Sequence, residues 1–417
     1  MTRIPIAIVG CGGMGGRHLR GMKELYDSGQ SNVELVAACD LRRDNAEALA
    51  DDAERLLGSR PHVFQDMAAM VAAIADLQGV DITTDSGSHH TVACAAFDLG
   101  LNVLCEKPLG LTMRACNRIL EAQERSGKVL SVAENYRRDP MSRLMRALID
   151  AGAIGTPTML FDISAGGGNR IIILPWRHDR YRGGIVLDAG VHNADMMQYF
   201  VGHAQEVYAH TRTLEPVRYR SEGRTNLSDF YDRWAVEIPP SIEATAEDTL
   251  VSILTFEGDV LGQWTNVYAA HGEGFGRMVV YGSEGSLQFG GARNGRPLTL
   301  CRDDCGLVSG DDILNLAPDF RLDPLTAQLF GGERLAAYDR TFQEADRKLL
   351  AWEYHEFADC VLTGATPEVD GLMGRKATAL CYAAFESATL NRPVTLQEVE
   401  SEATGAYEAD INERIGL

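Results

Sequence analysis

At 417 residues the chain is longer than the size at which a single hydrophobic core keeps growing, which predicts two domains. Its 45% apolar and 24% charged residues are those of a globular protein and exclude the disordered and coiled-coil classes. Thirty-nine Lys and Arg against 59 Asp and Glu leave a net charge of −20, so no overall basic footprint is offered to nucleic acid or to an anionic membrane.

In chain order, Ile4–Val9, Val33–Cys39, Val80–Thr84, Val103–Cys105 and Val129–Val132 read as strands. Asp44–Leu57 and Thr91–Leu99 between them carry helical spacing, with Gly100 as a C-cap. Strand–helix alternation predicts an α/β Rossmann domain with a parallel sheet over 1–134. From 135 to 417 the pattern changes to longer alternating runs at Thr156–Ser164, Gln205–Thr213, Thr249–Phe256, Gly262–Ala269 and Met278–Tyr281. Turn signals separate some of them, which predicts an α+β domain with a large, mostly antiparallel open sheet. Two polar stretches, about 214–245 and 290–345, read as insertions on that sheet. Helices Leu349–Leu362 and Gly374–Leu390 follow.

The first strand starts at Ile4, which leaves no room for a signal peptide, and no apolar run approaches the roughly 20 residues that span a bilayer. Nine cysteines are scattered without a CxxC pair. Cys39, Cys94, Cys105 and Cys381 sit in apolar runs as small buried thiols, and Cys301 and Cys305 lie in a polar loop without a partner cluster. The expectation is a cytoplasmic protein without a metal.

Gly10-Cys11-Gly12-Gly13-Met14-Gly15 is a G-x-G-x-x-G that follows a strand and opens a helix near Met14. Glycines there allow a tight turn, backbone approach to a pyrophosphate and close helix–sheet packing, and the helix N-terminus offers free N–H groups to the anion. Asp40 ends the second strand, where a carboxylate accepts from ribose hydroxyls and repels a 2′-phosphate. NAD is therefore expected over NADP, with Arg42 and Arg43 the nearby groups able to accommodate a phosphate.

Two further strings carry chemistry. Cys105-Glu106-Lys107-Pro108-Leu109-Gly110 follows a strand, and Gly183 to Asp195, containing Asp188-Ala189-Gly190-Val191-His192-Asn193, runs into a helix. Lys107 falls at the carboxyl edge of the sheet, where an ammonium can stabilise alkoxide character as hydride leaves. His192 offers an imidazole, the side-chain type whose reference pKa near neutrality suits accepting the hydroxyl proton. Asp188, four residues earlier, shares its helix face and can bond the imidazole or the substrate. Taken singly, Lys107 also reads as a loop cation and Asp188 with His192 as a capping pair.

With the glycine fingerprint, these strings resemble the glucose–fructose oxidoreductase and inositol dehydrogenase (Gfo/Idh/MocA) family over nearly the whole chain. His89 stands at the spacing that family uses before its E-K-P string, Asn135 to Pro140 begin the second domain, and Glu386-Ser387 end a C-terminal helix. The resemblance implies a catalytic triad of Lys107, Asp188 and His192, and a cis peptide before Pro108 that aims the lysine. It implies cofactor contacts from Gly10, Gly12, Gly13, Met14, Gly15, Asp40, Arg42, Thr84, His89, Glu106 and Lys107. Asp85-Ser86 depart from the family's usual Pro-Asn pair. A homodimer or homotetramer through the C-terminal sheet is implied as well.

Substrate groups are expected from Lys107, Asn135, Arg137, Trp176, Arg177, His178, Asp188, His192, Asn193 and Tyr268, with a Trp face suited to a sugar ring. Arg170, Arg177, Arg180 and Arg182 crowd the approach to the catalytic string; they can clamp an anionic substrate group or pair with the protein's own acids. The leading reading is reversible NAD-dependent oxidation of a sugar or cyclitol hydroxyl. The alternatives are a glycoside hydrolase using NAD transiently and a non-catalytic dinucleotide-sensing regulator.

Overall fold

The computed structural model describes residues 2–221, 231, 234 and 237–417. The chain clusters into two compact units. The first is built mainly on Met1–Asn135 with Gln343–Arg375, and the second on Tyr136–Ser228, Trp234–Phe342 and Lys376–Leu417.

The first unit holds six parallel strands: β1 (Ile4–Val9), β2 (Val33–Cys39), β3 (His62–Phe64), β4 (Gly79–Ile82), β5 (Asn102–Glu106) and β6 (Leu130–Ala133). Their order is β3-β2-β1-β4-β5-β6, and the order reverses beside β1, which is the switch point where such sheets bind ligands. Buried on both faces, β1, β4, β5 and β6 are mostly apolar, with buried Asp81, Ser131, Asn102 and Glu106 as the polar exceptions, which is why the sequence shows them. The three-residue β3, half-exposed, carries no such run and is missed. Helices α1 (Gly13–Asp27), α2 (Arg43–Leu57), α3 (Met67–Ala73), α4 (His89–Asp98) and α5 (Met113–Ser126) alternate with the strands.

Residues 343–375, which the sequence reading attaches to the second domain, cluster with this first unit. The helix over Phe342–Thr363 brings buried polar groups to it. Asp346 takes Arg17 Nε and Nη2, each at 2.7 Å, and Tyr354 Oη donates to Asp81 at 2.5 Å. At Gly21 in α1 an added Cβ would meet Leu350 at 2.4 Å, so the two helices touch at backbone distance.

The second unit is built on a nine-stranded sheet. Its strands are β7 (Pro157–Gly167), β8 (Ala204–Arg212), β11 (Thr249–Phe256), β12 (Leu261–Ala270), β13 (Phe275–Gly282), β14 (Gly285–Phe289), β15 (Thr299–Arg302), β16 (Gly306–Val308) and β17 (Val394–Thr395). A separate pair, β9 (Val217–Tyr219) and β10 (Ser241–Glu243), lies in the first insertion, part of which falls outside the described residues. The order is β16-β15-β14-β13-β7-β12-β11-β8-β17, antiparallel except for β12 against β7. The second insertion is therefore not all loop: it contributes β15 and β16 to the sheet edge. Helices α6 (Pro140–Asp150) and α7 (Gly184–Val201) belong to the same unit, and α7 packs on β7, β11 and β12. On β11, Val251 and Ile253 alternate outward with 45% and 63% exposure while Leu250 and Leu254 are buried, so the other face of the sheet is open.

Inside the first unit His18 lies between two carboxylates, Nδ1 at 2.9 Å from Asp81 and Nε2 at 3.0 Å from Glu106. Burial opposes the imidazolium, but the Asp81 and Glu106 charges outweigh it and push the pKa up to about 10. The folded value lies above the unfolded one, so this stabilisation is complete below about pH 6.5 and is lost as pH rises through about 10. In urea titrations of the wild type, stability is expected to fall between pH 6.5 and 9. His18→Gln should be less stable at pH 6 and lose most of that slope; an unchanged slope would refute the charged bridge.

Candidate active site

The dinucleotide loop is explained by its contacts. Gly10 has φ +98°, and an added Cβ would meet the Thr84 backbone nitrogen at 2.7 Å. At Gly15 the added Cβ would meet the Gly10 carbonyl oxygen at 2.5 Å, which forces glycine where α1 crosses β1. Gly12 has open space in the Cβ direction. It stands as the N-cap of α1 without a side-chain cap bond, and the first turn, including Gly13 and Met14, holds no acid. The cradle thus fits a pyrophosphate: backbone N–H groups without carboxylate competition, at a glycine with room above it.

Asp40 Oδ2 accepts from the Cys11 N–H at 2.7 Å and Oδ1 from the Arg42 N–H at 2.8 Å, which pins the acid beside the glycine loop. Arg42 pairs with Asp44 at 3.0 Å and Arg43 with Glu47 at 3.1 Å. Both cations that could receive a 2′-phosphate are thereby directed toward acids, and the donor set fits NAD.

The next loop runs from Thr84 into α4. Ser88 Oγ donates to Thr84 Oγ1 at 2.9 Å, and Asp85 Oδ1 accepts from the Gly87 N–H at 3.2 Å, so Asp85-Ser86 form a tight entry to the helix. His89 is buried, Nδ1 2.9 Å from the Pro108 carbonyl; burial above all lowers its pKa and keeps it neutral. That bond ties α4 to the loop after β5, where the Lys107–Pro108 peptide is cis.

Lys107 follows the last residue of β5, is 9% exposed, and donates its backbone N–H to Glu106 Oε2 at 2.9 Å. Glu106 Oε1 lies 3.2 Å from Arg17 and 3.0 Å from His18. Burial works against the carboxylate, but His18 and then Arg17 and Lys107 hold it down at about 2. Glu106 is thus bound inside a charged network behind the lysine. Asn135 donates to Asp346 at 3.3 Å, and its buried Oδ1 has no partner among the described residues.

In the second unit α7 carries Asp188 and His192. Asp188 is buried and ion-paired with Arg177, whose guanidinium lies 4.9 Å from the Trp176 ring centre. The His192 ring stacks on Tyr136 at 4.0 Å and 5°. Arg137 is buried against Asp195, Nε to Oδ2 at 2.7 Å. His178 accepts from the Ile172 N–H at 2.9 Å; burial, then Arg218 and Arg177, lower its pKa to about 4. Arg180 reaches the Tyr407 carbonyl at 2.9 Å and Asp410 at 3.1 Å. Of the arginine cluster, Arg177 and Arg180 therefore serve the protein's own acids, the alternative weighed for them from the sequence.

Sequence reasoning missed Asp162 on β7, which accepts from Asn193 at 2.7 Å and is pushed up to about 7 by burial, against that bond. The available signal was a carboxylate on the inward register of an alternating strand. Tyr268 donates or accepts across 3.2 Å with Asn266, and burial, then Tyr136, Asp162 and Asp188, raise its pKa. Tyr136 was also missed, although it lies in the Asn135 to Pro140 string that begins the second domain.

The sequence model of the oxidoreductase family with an NAD-binding Rossmann fold matches residues 4–134, and that of the GFO/IDH/MocA C-terminal domain matches 142–288. The chain belongs to the GFO/IDH/MocA oxidoreductase family. It is 27% identical to a D-apiose dehydrogenase of Paraburkholderia graminis over 97% of this chain and 92% of that protein. It is 24% identical to a myo-inositol 2-dehydrogenase of Thermotoga maritima over 94% and 99%. Among solved structures, a levoglucosan dehydrogenase in complex with NADH aligns with TM-score 0.72 at 20% identity, covering 95% and 99% of the two chains. Family and cradle together make the protein an NAD-dependent oxidoreductase. No helix among the described residues is long and apolar enough to cross a membrane.

Asp40→Ala removes a charge-assisted hydrogen bond to the ribose worth about 1.5–3 kcal/mol, so NAD affinity should fall roughly 10- to 100-fold while NADP affinity changes less. Calorimetric titration of both cofactors checks this; equal losses for the two would remove Asp40 as the discriminating group.

Proposed function

We propose that the protein is a dehydrogenase of sugars or cyclitols, moving a hydride between NAD and a carbon bearing a secondary hydroxyl. The single observation that carries the reading is the E-K-P loop. There a buried lysine at the carboxyl end of a central parallel strand is braced by Glu106, next to a dinucleotide cradle. The names of the relatives, D-apiose, myo-inositol and levoglucosan dehydrogenases, supply the substrate class.

Bound NAD supplies the hydride acceptor. Lys107 hydrogen-bonds the reacting oxygen and stabilises its developing negative charge. His192 in its neutral form takes the hydroxyl proton at a ring nitrogen and returns it in the reverse direction. Asp188, fixed by Arg177, orients the substrate hydroxyls beside the imidazole. Asn135, Arg137, Trp176, Asn193 and Tyr268 remain proposed substrate neighbours, of which Trp176 offers a sugar ring an apolar face. An anionic substrate and a redox-neutral glycosidase reaction have no specific support in this geometry.

A panel of sugars, cyclitols and their acidic derivatives with NAD, followed at 340 nm, tests the class. NADH should accumulate stoichiometrically with substrate consumed; aglycone release at constant absorbance would replace the proposal with the glycosidase. Lys107→Ala and His192→Asn should each lower kcat by on the order of 10²–10³-fold with NAD affinity within a few fold. Full activity in either variant would remove that residue's role.

Outward-facing Tyr208, Val251, Ile253 and Leu261 form an apolar face on the sheet, consistent with a homo-oligomer through it. Light scattering should report a dimer or larger, and Ile253→Lys should shift it toward monomer; a wild-type monomer at micromolar concentration would overturn this assembly.

A further inference from the structure

The second insertion reaches the His192 ring through Tyr136. Arg293, near the start of that insertion, places its guanidinium carbon 4.5 Å from the Tyr136 ring centre, and Nη2 donates to Tyr136 Oη at 2.7 Å. The Tyr136 ring also stacks in parallel on the His192 imidazole at 4.0 Å. The backbone is built to deliver this side chain. Arg293 has φ +60°, a left-handed conformation uncommon for a non-glycine residue. Its N–H donates at 2.7 Å to Asp139, the buried N-cap of α6, and the same carboxylate oxygen receives Tyr338 Oη at 2.5 Å. Tyr338 also donates its own N–H to the Gly295 carbonyl at 3.1 Å, closing the loop around Arg293. The Phe342 ring lies 4.5 Å from the same guanidinium.

We propose that Arg293 is a positioning residue for His192: it clamps the Tyr136 ring, fixes the plane of the stacked imidazole, and disfavours its protonated form. The physical reason is competition for one ring. A tyrosine face attracts a cation, and Arg293 already supplies one, so a second positive charge on His192 would meet a like charge across the ring. On α6, which packs against α7, Arg146 pairs with Asp150 and Arg143 donates to Tyr199 Oη at 3.5 Å. Asp188 is paired with Arg177 and Asp195 with Arg137, while His178 is held neutral. Buried Arg138 adds a further positive charge; Asp162, bonded to Asn193, and Asp139 are the negative charges acting in the other direction. A neutral imidazole is the form that accepts a proton, so the clamp extends oxidation to lower pH. The inference rests on the catalytic reading of His192 and adds to it the residue that tunes it.

Arg293→Gly is the direct test, because glycine accepts the positive φ and keeps the N–H bond to Asp139. Imidazole titration by NMR on the labelled full chain without cofactor, with His192 assigned from His192→Asn, reads the coupling independently of turnover. Arg293→Gly should raise the His192 pKa by on the order of half to one unit. The acid limb of kcat/KM for oxidation should move up by the same amount, kcat at neutral pH should drop several-fold and KM should stay within about twofold. Arg293→Lys, which keeps the charge, should restore most of the limb. Tyr136→Phe, which keeps the ring but loses the Oη acceptor, should shift the titration in the same direction and serves if Arg293→Gly does not fold. An unmoved His192 titration in folded Arg293→Gly, or an equal shift in Arg293→Lys, overturns the inference. Full activity in His192→Asn would instead overturn the catalytic reading, with the titration still reporting on the clamp.

Discussion

The first unit depends on one arrangement of buried charge. Glu106 and Asp81 hold His18 between them, Arg17 bridges Glu106 to Asp346, and Tyr354 closes on Asp81. Ions taken out of water are costly unless each one is paired and hydrogen-bonded. Here two cations face three carboxylates within hydrogen-bond distance. Because Glu106 is the residue before Lys107 and accepts its N–H, the network holds the end of β5 as a rigid mount for the lysine.

The second unit solves a related problem differently. Its helix α7 carries Asp188, His192 and Asp195 over an open sheet, and neighbours are allotted to each. Arg177 goes to Asp188, Tyr136 to His192 and Arg137 to Asp195. Of the four arginines near that string, for which the sequence leaves an anion clamp and internal pairing both open, Arg177 pairs with Asp188 and Arg180 with Asp410. In a chain of net charge −20, arginines next to buried acids answer an internal need before they are free to meet a ligand.

Much of the fold was legible because its determinants are local. Strands β1, β2 and β11 fall where the apolar runs and alternation put them, and the glycine loop with Asp40 lies where G-x-G-x-x-G followed by an acid predicts. Half-exposed β3 left no pattern, and β15 and β16 hid in a stretch whose polar composition read as an insertion. Membership of residues 343–375 in the first unit was equally hidden, because an amphipathic helix records that it packs and not against what.

By itself, the sequence determined the nucleotide cradle, the lysine at a strand end and the aspartate–histidine pair on one helix, since each follows from a few consecutive residues and their backbone needs. Only the tertiary structure decided the partners. Arg17 meets Asp346 across 329 residues of chain, and Tyr136 meets Arg293 across 157. A buried charge accepts any well-placed counter-charge, so its choice is written in the packing of distant elements and leaves no spacing to read.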